Sequence, residues 1–208
     1  MSDITRAPAP APAVVPGAHF ADPAPLGLGA FALTTFVLSC VNMNWIPAST
    51  TGIVLGLALA MGGGAQLLAG MWEFAKGNTF GATAFGSFGA FWISFWWLAE
   101  HDLGHLGSDA NKALGWYLVA WGIFTAYMTI AALRVSGAVL AVFVLLTITF
   151  FLLAWGDFAT STGLTKTGGY FGLATAIAAW YTAFAGVTKS TFGREVLPTM
   201  PLARHLID

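Results

Sequence analysis

Six long apolar runs, separated by shorter polar stretches, form the pattern of hydrophobic and polar positions along this chain. The pattern predicts helices over residues 26–46, 52–75, 80–99, 113–133, 135–156 and 168–187. A helix needs about 20 residues to cross the hydrocarbon core of a bilayer, and each run approaches that length. The sequence therefore predicts an all-α integral membrane protein whose six transmembrane helices form one bundle.

The first run carries polar residues at depths that lipid does not readily accept. Thr34, Thr35 and Asn42 lie within it. Polar groups in a membrane span are expected to face protein or a water-filled path. The first helix is therefore predicted to border a route for something polar.

Composition also indicates a membrane protein. The chain is 57% hydrophobic and only 8% charged, whereas soluble domains are about 25% charged. Residues 1–21 are rich in alternating Ala and Pro, which predicts a flexible, partly extended cytoplasmic tail. We expect this tail, a membrane domain over residues 22–190 and a C-terminal cytoplasmic tail over residues 191–208. Cys40 is the single cysteine, so no disulfide can form within the chain.

Small residues recur every four positions in three of the runs. In a helix this spacing places them on one face, where they let a neighbouring backbone approach closely. The three sets are Gly52, Gly56, Ala60 and Gly64; Ala82, Gly86, Ala90 and Ser94; and Gly168, Gly172 and Ala176. We expect each face to be a contact between helices.

The other polar residues inside the runs are mostly neutral. Thr83 and Ser87 offer hydroxyl groups, and Gln66 offers an amide. Gln66 has two interpretations, an interhelical hydrogen bond or a donor that lines a pore. Glu73 and Lys76 lie near the end of the second run, where their spacing lets them pair at the membrane interface. We therefore expect a structural role for Glu73.

The longest polar stretch between runs, residues 100–109, contains His101 and His105. Two imidazoles four residues apart share a helix face and can bind a divalent metal, as in a membrane-embedded metal-dependent hydrolase. Gly104 and Gly107 disfavour a stable helix there. The chain also lacks Gly-x-Ser-x-Gly, His-Glu-x-x-His and phosphate-binding Gly-Lys-Ser/Thr motifs. We expect no catalysis, no metal and no cofactor.

Positive charges are distributed unequally between the two sides of the predicted bundle. Six spans put both termini on one side, and the segments on that side hold six Lys or Arg residues against two on the other. The six are Arg6, Lys76, Arg134, Lys189, Arg194 and Arg204, and the two are Lys112 and Lys166. Because cytoplasmic loops are rich in Lys and Arg, we expect both termini in the cytoplasm of a cell (inner or plasma) membrane.

The segment at the start of the first run resembles a family signature. Residues 22–28 read Asp-Pro-Ala-Pro-Leu-Gly-Leu, which matches the Asn-Pro-Ala-Pro-Leu-Gly-Leu of the acetate uptake transporters except at Asp22. An acid followed by prolines is also typical of a helix start, since proline fits the first turn. Asp22, Pro23, Pro25 and Gly27 are therefore expected at the cytoplasmic mouth of a pathway.

Three later segments are also similar to that family, namely residues 76–92, 116–125 and 192–198. The resemblance implies passage of acetate, and of acids such as succinate or lactate, by a channel or a proton symporter. It also implies a homo-hexamer with a pore in each subunit. Neutral donors suit a small carboxylate that must bind weakly and leave again. A membrane sensor that carries no flux is the alternative, beside the hydrolase.

The resemblance further implies a constriction. In the family, a Phe of the first helix, a Tyr of the third and a Leu of the fifth narrow the pore. By motif position these residues fall on Phe31, Phe88 and Leu146. Because Phe88 lacks the phenol hydroxyl, we expect the narrow point to close by hydrophobic contact. With no proton relay in the middle of a run, the substrate can carry its own proton, since a simple carboxylic acid titrates near Glu's reference pKa of about 4.3.

Overall fold

The computed structural model describes residues 20–202. This part of the chain is all-α, as predicted, and forms six long helices. The helices are α1 (Ala24–Asn42), α2 (Gly52–Ala75), α3 (Thr79–Trp97), α4 (Ala110–Ala132), α5 (Gly137–Phe158) and α6 (Thr162–Phe192). The predicted N-terminal tail lies almost entirely outside the described residues, as do residues 203–208 of the predicted C-terminal tail.

Five of these helices are long and apolar enough to cross a membrane. The helix α3, with 19 residues, is long enough to belong to that set, but its hydropathy leaves it out. Its sequence contains glycines, threonines and serines between the aromatic residues, which lowers its hydropathy. The chain is therefore a helical membrane protein with five helices of spanning length and hydropathy in its described part.

The largest difference from the predicted bounds is at α6. The stretch 158–167 was expected to be a linker, but the helix begins at Thr162 and continues to Phe192. The Ser161 side chain accepts the N–H of Leu164 at 3.4 Å, which caps the helix before the predicted start. Gly193, with φ +65°, ends it.

The second helix contains a π-helical segment over Ala58–Ala65, which includes three consecutive glycines. A Cβ atom on Gly62 would lie 2.7 Å from the Trp92 ring and 2.9 Å from Thr34 Oγ1. The missing side chain thus lets α2 approach both α1 and α3. Such segments are common at functional sites, and Gln66 follows this one directly.

The six helices form a closed ring in chain order. Extensive contacts join α1 to α6, α6 to α5 and α5 to α4, while α2 packs on α3 and on α1. Side chains complete the ring between α3 and α4, where the Tyr117 hydroxyl donates to the Phe91 carbonyl at 3.1 Å. Buried aromatic rings, including Phe31, Phe88 and Phe143, fill the middle of the ring.

The three faces of small residues differ in whether they contact another helix of the described chain. Gly168 lies against Leu153 and Gly172 against Ser39, so the α6 face is a helix contact as expected. The α2 face was expected to be one too, but Gly52 and Gly56 have nothing within 4 Å of a Cβ position among the described residues. That face points away from the chain. The α3 face is mixed, since Ala82 is buried whereas Ala90 and Ser94 are exposed.

Close contact between α2 and α3 instead uses other glycines. A Cβ on Gly70 would lie 2.6 Å from the backbone N of Gly86, and one on Gly89 would lie 2.7 Å from the backbone N of Leu67. The two backbones therefore pack directly against each other, which fixes the position of the residues that follow Gly62 on α2.

Candidate functional site

Four cavities follow one another through the ring of helices. We name them after a lining residue: the Asp22 mouth, the Gln66 cavity, the Asn42 cavity and the Lys112 mouth. The Asp22 mouth and the Gln66 cavity share Ala24, Leu28 and Val139. The Gln66 and Asn42 cavities share Phe31 and Leu146. Asp157 borders both the Asn42 cavity and the Lys112 mouth. The four spaces thus form one line from end to end.

The Asp22 mouth has a volume of about 200 Å³ and carries charged groups. Asp22, Lys189 and Glu195 line it. Asp22 Oδ1 accepts the Ala24 N–H at 3.3 Å and forms an ion pair with Lys76 Nζ at 2.9 Å. The expected pairing of Lys76 with Glu73 is therefore wrong, because Lys76 reaches across to the start of α1.

The signature residues next to Asp22 hold this mouth together. Pro23 is buried just before α1. Pro25 packs on α6, where a Cβ on Gly186 would lie 2.8 Å from Pro25 Cγ. Gly27 lies under the Phe85 ring, 2.7 Å from where its Cβ would be. The signature thus fits the first turns of α1 tightly between α3 and α6.

The Gln66 cavity is small, about 90 Å³, and mostly apolar. Its polar lining comes from Gln66, Glu73 and Asn78. Gln66 is only 1% exposed, and its Oε1 has no hydrogen-bond partner among residues 20–202. Gln66 therefore lies on the wall of a cavity, which is the position expected of a donor that lines a pore.

Phe31 and Leu146 separate the Gln66 and Asn42 cavities, since both residues line both spaces. Phe88 lies beside them, with its ring centroid 5.8 Å from that of Phe31. The three side chains are each less than 5% exposed. The structure therefore brings the three expected constriction residues close together, with Phe31 and Leu146 between the two cavities and Phe88 on the side of the Gln66 cavity.

The Asn42 cavity, about 130 Å³, is the more polar of the two inner spaces. Its lining includes polar side chains from α1, α5 and α6: Thr35, Ser39, Asn42, Thr149, Asp157 and Thr165. Thr35 Oγ1 is buried and, within the described part of the chain, unpaired. Buried polar atoms normally have a partner, so this hydroxyl is available to a molecule in the cavity.

Three other sequence candidates lie away from the four cavities. The Thr34 hydroxyl bonds its own helix, at 3.0 Å from the Ala30 carbonyl, and lies 3.4 Å from the Leu57 carbonyl of α2. Thr83 and Ser87 are half-buried on α3 and line none of the four spaces. Thr34 thus joins two helices.

Two acids that the sequence did not indicate as site residues line these cavities. Glu73 is fully buried and lines the Gln66 cavity. Asp157, which directly follows the fifth apolar run, borders the Asn42 cavity and the Lys112 mouth. Both acids lie near helix ends, and such a position predicts a side chain at the membrane interface. The sequence does not show whether a side chain near a helix end points outward or into the bundle.

The two histidines do not form a site together. The His101 ring stacks on Trp97, with 4.2 Å between ring centroids. The His105 ring Nδ1 lies 2.6 Å from the His101 carbonyl oxygen. Residues 20–202 contain no group of three His, Cys, Asp or Glu side chains that could hold a metal ion.

Comparison with known proteins places the chain among transport proteins. The model of the GPR1/FUN34/yaaH family matches residues 5–204. Acetate permease A of Emericella nidulans is 43% identical over 86% of this chain and 65% of its own length. The succinate-acetate/proton symporter SatP of Escherichia coli K12 is 41% identical over 86% of this chain and 94% of its own.

A solved structure agrees with these relatives. The structure of the bacterial acetate channel SatP superposes with a TM-score of 0.81 at 39% identity, covering 86% of this chain and 99% of that one. The chain thus spans about two thirds of the Emericella relative and nearly the full length of the bacterial ones.

Proposed function

Because the chain belongs to the GPR1/FUN34/yaaH family, we propose that it passes acetate and similar small carboxylates across a membrane along the four cavities. The observation that carries this proposal is the sharing of lining residues between each cavity and the next. The relatives described by an activity above are a permease, a symporter and a channel. The function is therefore transport and not catalysis.

The charges and donors along the path suit a small anion. Lys189 lines one mouth and Lys112 the other, so a cation is present at each entrance. The two inner cavities offer neutral donors, the Gln66 amide and the Thr35 hydroxyl, beside the acids Glu73 and Asp157. Neutral donors hold an anion weakly enough for it to leave. At Phe31 and Leu146 the path has only apolar walls, which favours closure by hydrophobic contact.

We infer that all six helices span the membrane and that both termini are cytoplasmic. Exposed tryptophans surround one end of the ring and exposed aromatic residues the other, as at the two interfaces of a bilayer. The first set is Trp45, Trp97, Trp116 and Trp155, and the second is Trp72, Phe74 and Phe192. Lys76, Arg134 and Lys189 lie at the second end, which supports a cytoplasmic position for it in a plasma or inner membrane.

A homo-hexamer with a pore in each subunit is also part of the proposal. The outward face of Gly52, Gly56 and Ala60 supports it, because small exposed residues on a membrane helix let another helix approach closely. Native mass spectrometry of the detergent-solubilised protein measures the subunit number. A monomer as the only species would contradict the assembly without affecting the path, which lies within one chain.

Uptake of labelled acetate into proteoliposomes tests the function. We expect uptake well above that of protein-free vesicles, with succinate and lactate as further substrates. A pH gradient that drives acetate above its equilibrium level would indicate proton symport, and equilibration alone would indicate a channel. Uptake equal to that of protein-free vesicles would contradict the proposed function and favour a membrane protein without flux.

A further inference from the structure

Glu73 is a buried acid on the proposed path. The transport of carboxylates, as proposed above, does not require it. It lies in the last turn of α2, is 0% exposed and lines the Gln66 cavity. One carboxyl oxygen, Oε2, accepts the Asn78 Nδ2 hydrogen at 2.8 Å. The other, Oε1, has no partner within residues 20–202.

The start of α3 fixes the position of this carboxyl group. Asn78 Oδ1 accepts the Gly81 N–H at 3.2 Å, so the same side chain caps α3 and holds Glu73. A Cβ atom on Gly81 would lie 2.8 Å from Glu73 Cδ, so only glycine leaves room for the acid there. The carboxyl group is thus held by two helices, with one oxygen left free.

Among the described residues no cation forms an ion pair with Glu73, although Lys76 lies near enough to attract its carboxylate. The charged groups near it are Asp22 and Lys76, which pair with each other at 2.9 Å. No other titratable side chain of the described chain lines the Gln66 cavity, where the remaining polar lining is Gln66 and Asn78. A carboxylate that enters this small apolar space therefore meets a second carboxylate, and like charges repel strongly where water is scarce.

Protonation changes this interaction from repulsion to attraction. A neutral Glu73 keeps its bond from Asn78 on one oxygen and can carry an O–H on the other. That O–H can donate to an oxygen of the entering anion, and a hydrogen bond to a charged acceptor is stronger than one between neutral groups. The Gln66 amide can turn its NH₂ toward the same anion.

We propose that Glu73 is the proton-binding site that admits the carboxylate to the Gln66 cavity, which rests on the proposed function. Glu73 takes one proton from the solution at the Asp22 mouth, forming its O–H bond as a hydronium ion loses one. It holds this proton while the anion occupies the cavity and returns it to solution after the anion leaves. Entry of one anion is thus linked to uptake of one proton.

Exchange of labelled acetate in proteoliposomes, at equal pH on both sides, tests this linkage. The protein-dependent rate of the wild type is expected to fall by about tenfold per pH unit where Glu73 is ionised, because one proton is bound per anion. Glu73→Gln keeps the bond from Asn78 and mimics the neutral acid. Its rate is expected to stay high and almost flat between about pH 6 and about pH 8. Glu100→Gln, at an exposed acid off the path, is the matched control and should keep the wild-type profile.

A second variant keeps the test decisive if Glu73→Gln does not fold. Asn78→Asp retains an oxygen that can cap α3 and places a second acid against Glu73. Two adjacent carboxyls share a proton, so the midpoint of the pH profile should move about one unit or more to higher pH.

Three results would overturn the inference. One is a steep pH profile that persists in Glu73→Gln, which would mean that acetic acid carries its own proton. Another is a wild-type rate independent of pH, and the third is an unmoved midpoint in Asn78→Asp. Absence of protein-dependent exchange in the wild type would contradict the proposed function itself, and with it this inference.

Discussion

At the scale of single residues, buried neutral polar side chains of the described chain differ in whether their polar atoms have partners. Thr125 and Thr175 donate to carbonyls of their own helices, at 2.7 and 2.8 Å. Thr35 and Gln66, in contrast, face cavities and keep an oxygen without a partner in the described chain. An unsatisfied buried polar group costs about 1–3 kcal/mol. That cost is avoided whenever water or a carboxylate occupies the cavity, so we expect these atoms to contact what moves along the proposed path.

Leu146→Ala tests the constriction. Leu→Ala in a closed core costs about 2–5 kcal/mol because a cavity remains. Leu146 already borders two cavities, so we expect a loss below about 2 kcal/mol and a substrate range widened toward lactate and succinate. Thermal unfolding in detergent and uptake of the three acids measure both effects. Leu145→Ala, at a position that lines neither inner cavity, is the control and should leave selectivity unchanged. A large stability loss without a change in selectivity would remove Leu146 from the path.

Asp22→Asn tests the charge at the Asp22 mouth. Asn can still accept the Ala24 N–H, and the lost ion pair is largely exposed, so we expect a stability change below about 1 kcal/mol. Removing the negative charge should raise acetate uptake near neutral pH. Lys76→Met breaks the same ion pair but keeps the acid, so it should lower uptake instead. Equal uptake in all three proteins would mean that Asp22 only caps α1.

Residue roles could be predicted from the sequence where a motif marked them. Phe31, Phe88 and Leu146 were predicted as one constriction, and the structure brings them together, although their role stays a prediction. Glu73 could not be assigned, because its spacing from Lys76 suggested a pair. The actual partner of Lys76 is Asp22, 54 positions earlier in the chain, and such long-range pairing has no local signal.

At the scale of helices, the existence of the six helices and the bounds of α2 followed from the apolar runs, whereas the bounds of α6 and the contact partner of the α2 face did not. The helix α2 begins at Gly52 and ends at Ala75, as the apolar run predicts. Its small residues Gly52 and Gly56, which precede the π-helical segment, do share one face, but that face meets no other helix of the described chain. A four-residue repeat predicts a common face and does not tell whether the helix that packs on it belongs to the same chain.

Gly70→Ala tests the contact between α2 and α3. The added Cβ would lie 2.6 Å from the backbone N of Gly86, and neither backbone can move without moving its helix. We expect a loss of about 1–3 kcal/mol, as for other overpacked sites. Gly29→Ala in α1 has open space within the described chain and should be neutral or stabilising by up to about 1 kcal/mol. Chemical unfolding in mild detergent compares the two. Equal stabilities would show that the two helices are not in close contact at Gly70.

At the scale of the whole molecule, the closed ring of six helices accounts for a path within one chain. Each helix contributes to the wall, and the aromatic core leaves small spaces on either side of Phe31 and Leu146. The order of the helices around the ring could not be predicted from the sequence, because hydropathy identifies the helices but not which of them are neighbours. Charge counts do predict which end of the ring faces the cytoplasm.

Cysteine labelling tests that orientation. In a Cys40→Ala background we expect a cysteine substituted for Gly104 to react with an impermeant reagent outside the cell. A cysteine substituted for Gly77, next to Lys76, should react only after the membrane is opened. Both glycines are exposed and have nothing within 4 Å of a Cβ position in the described structure, so a cysteine side chain fits at either site. At Gly77, where φ is +75°, the substitution strains the exposed turn. The reverse pattern of labelling would invert the orientation.

The central claim is that acetate crosses through the cavities inside one chain, and blocking one cavity tests it most directly. In a Cys40→Ala background, Thr35→Cys places a thiol on the Asn42 cavity, whereas Thr83→Cys places one away from all four cavities. We predict that a small thiol reagent abolishes acetate uptake by the Thr35→Cys protein, that acetate slows the reaction, and that uptake by Thr83→Cys is unchanged. Full uptake by a Thr35→Cys protein whose modification is verified by mass would contradict the account.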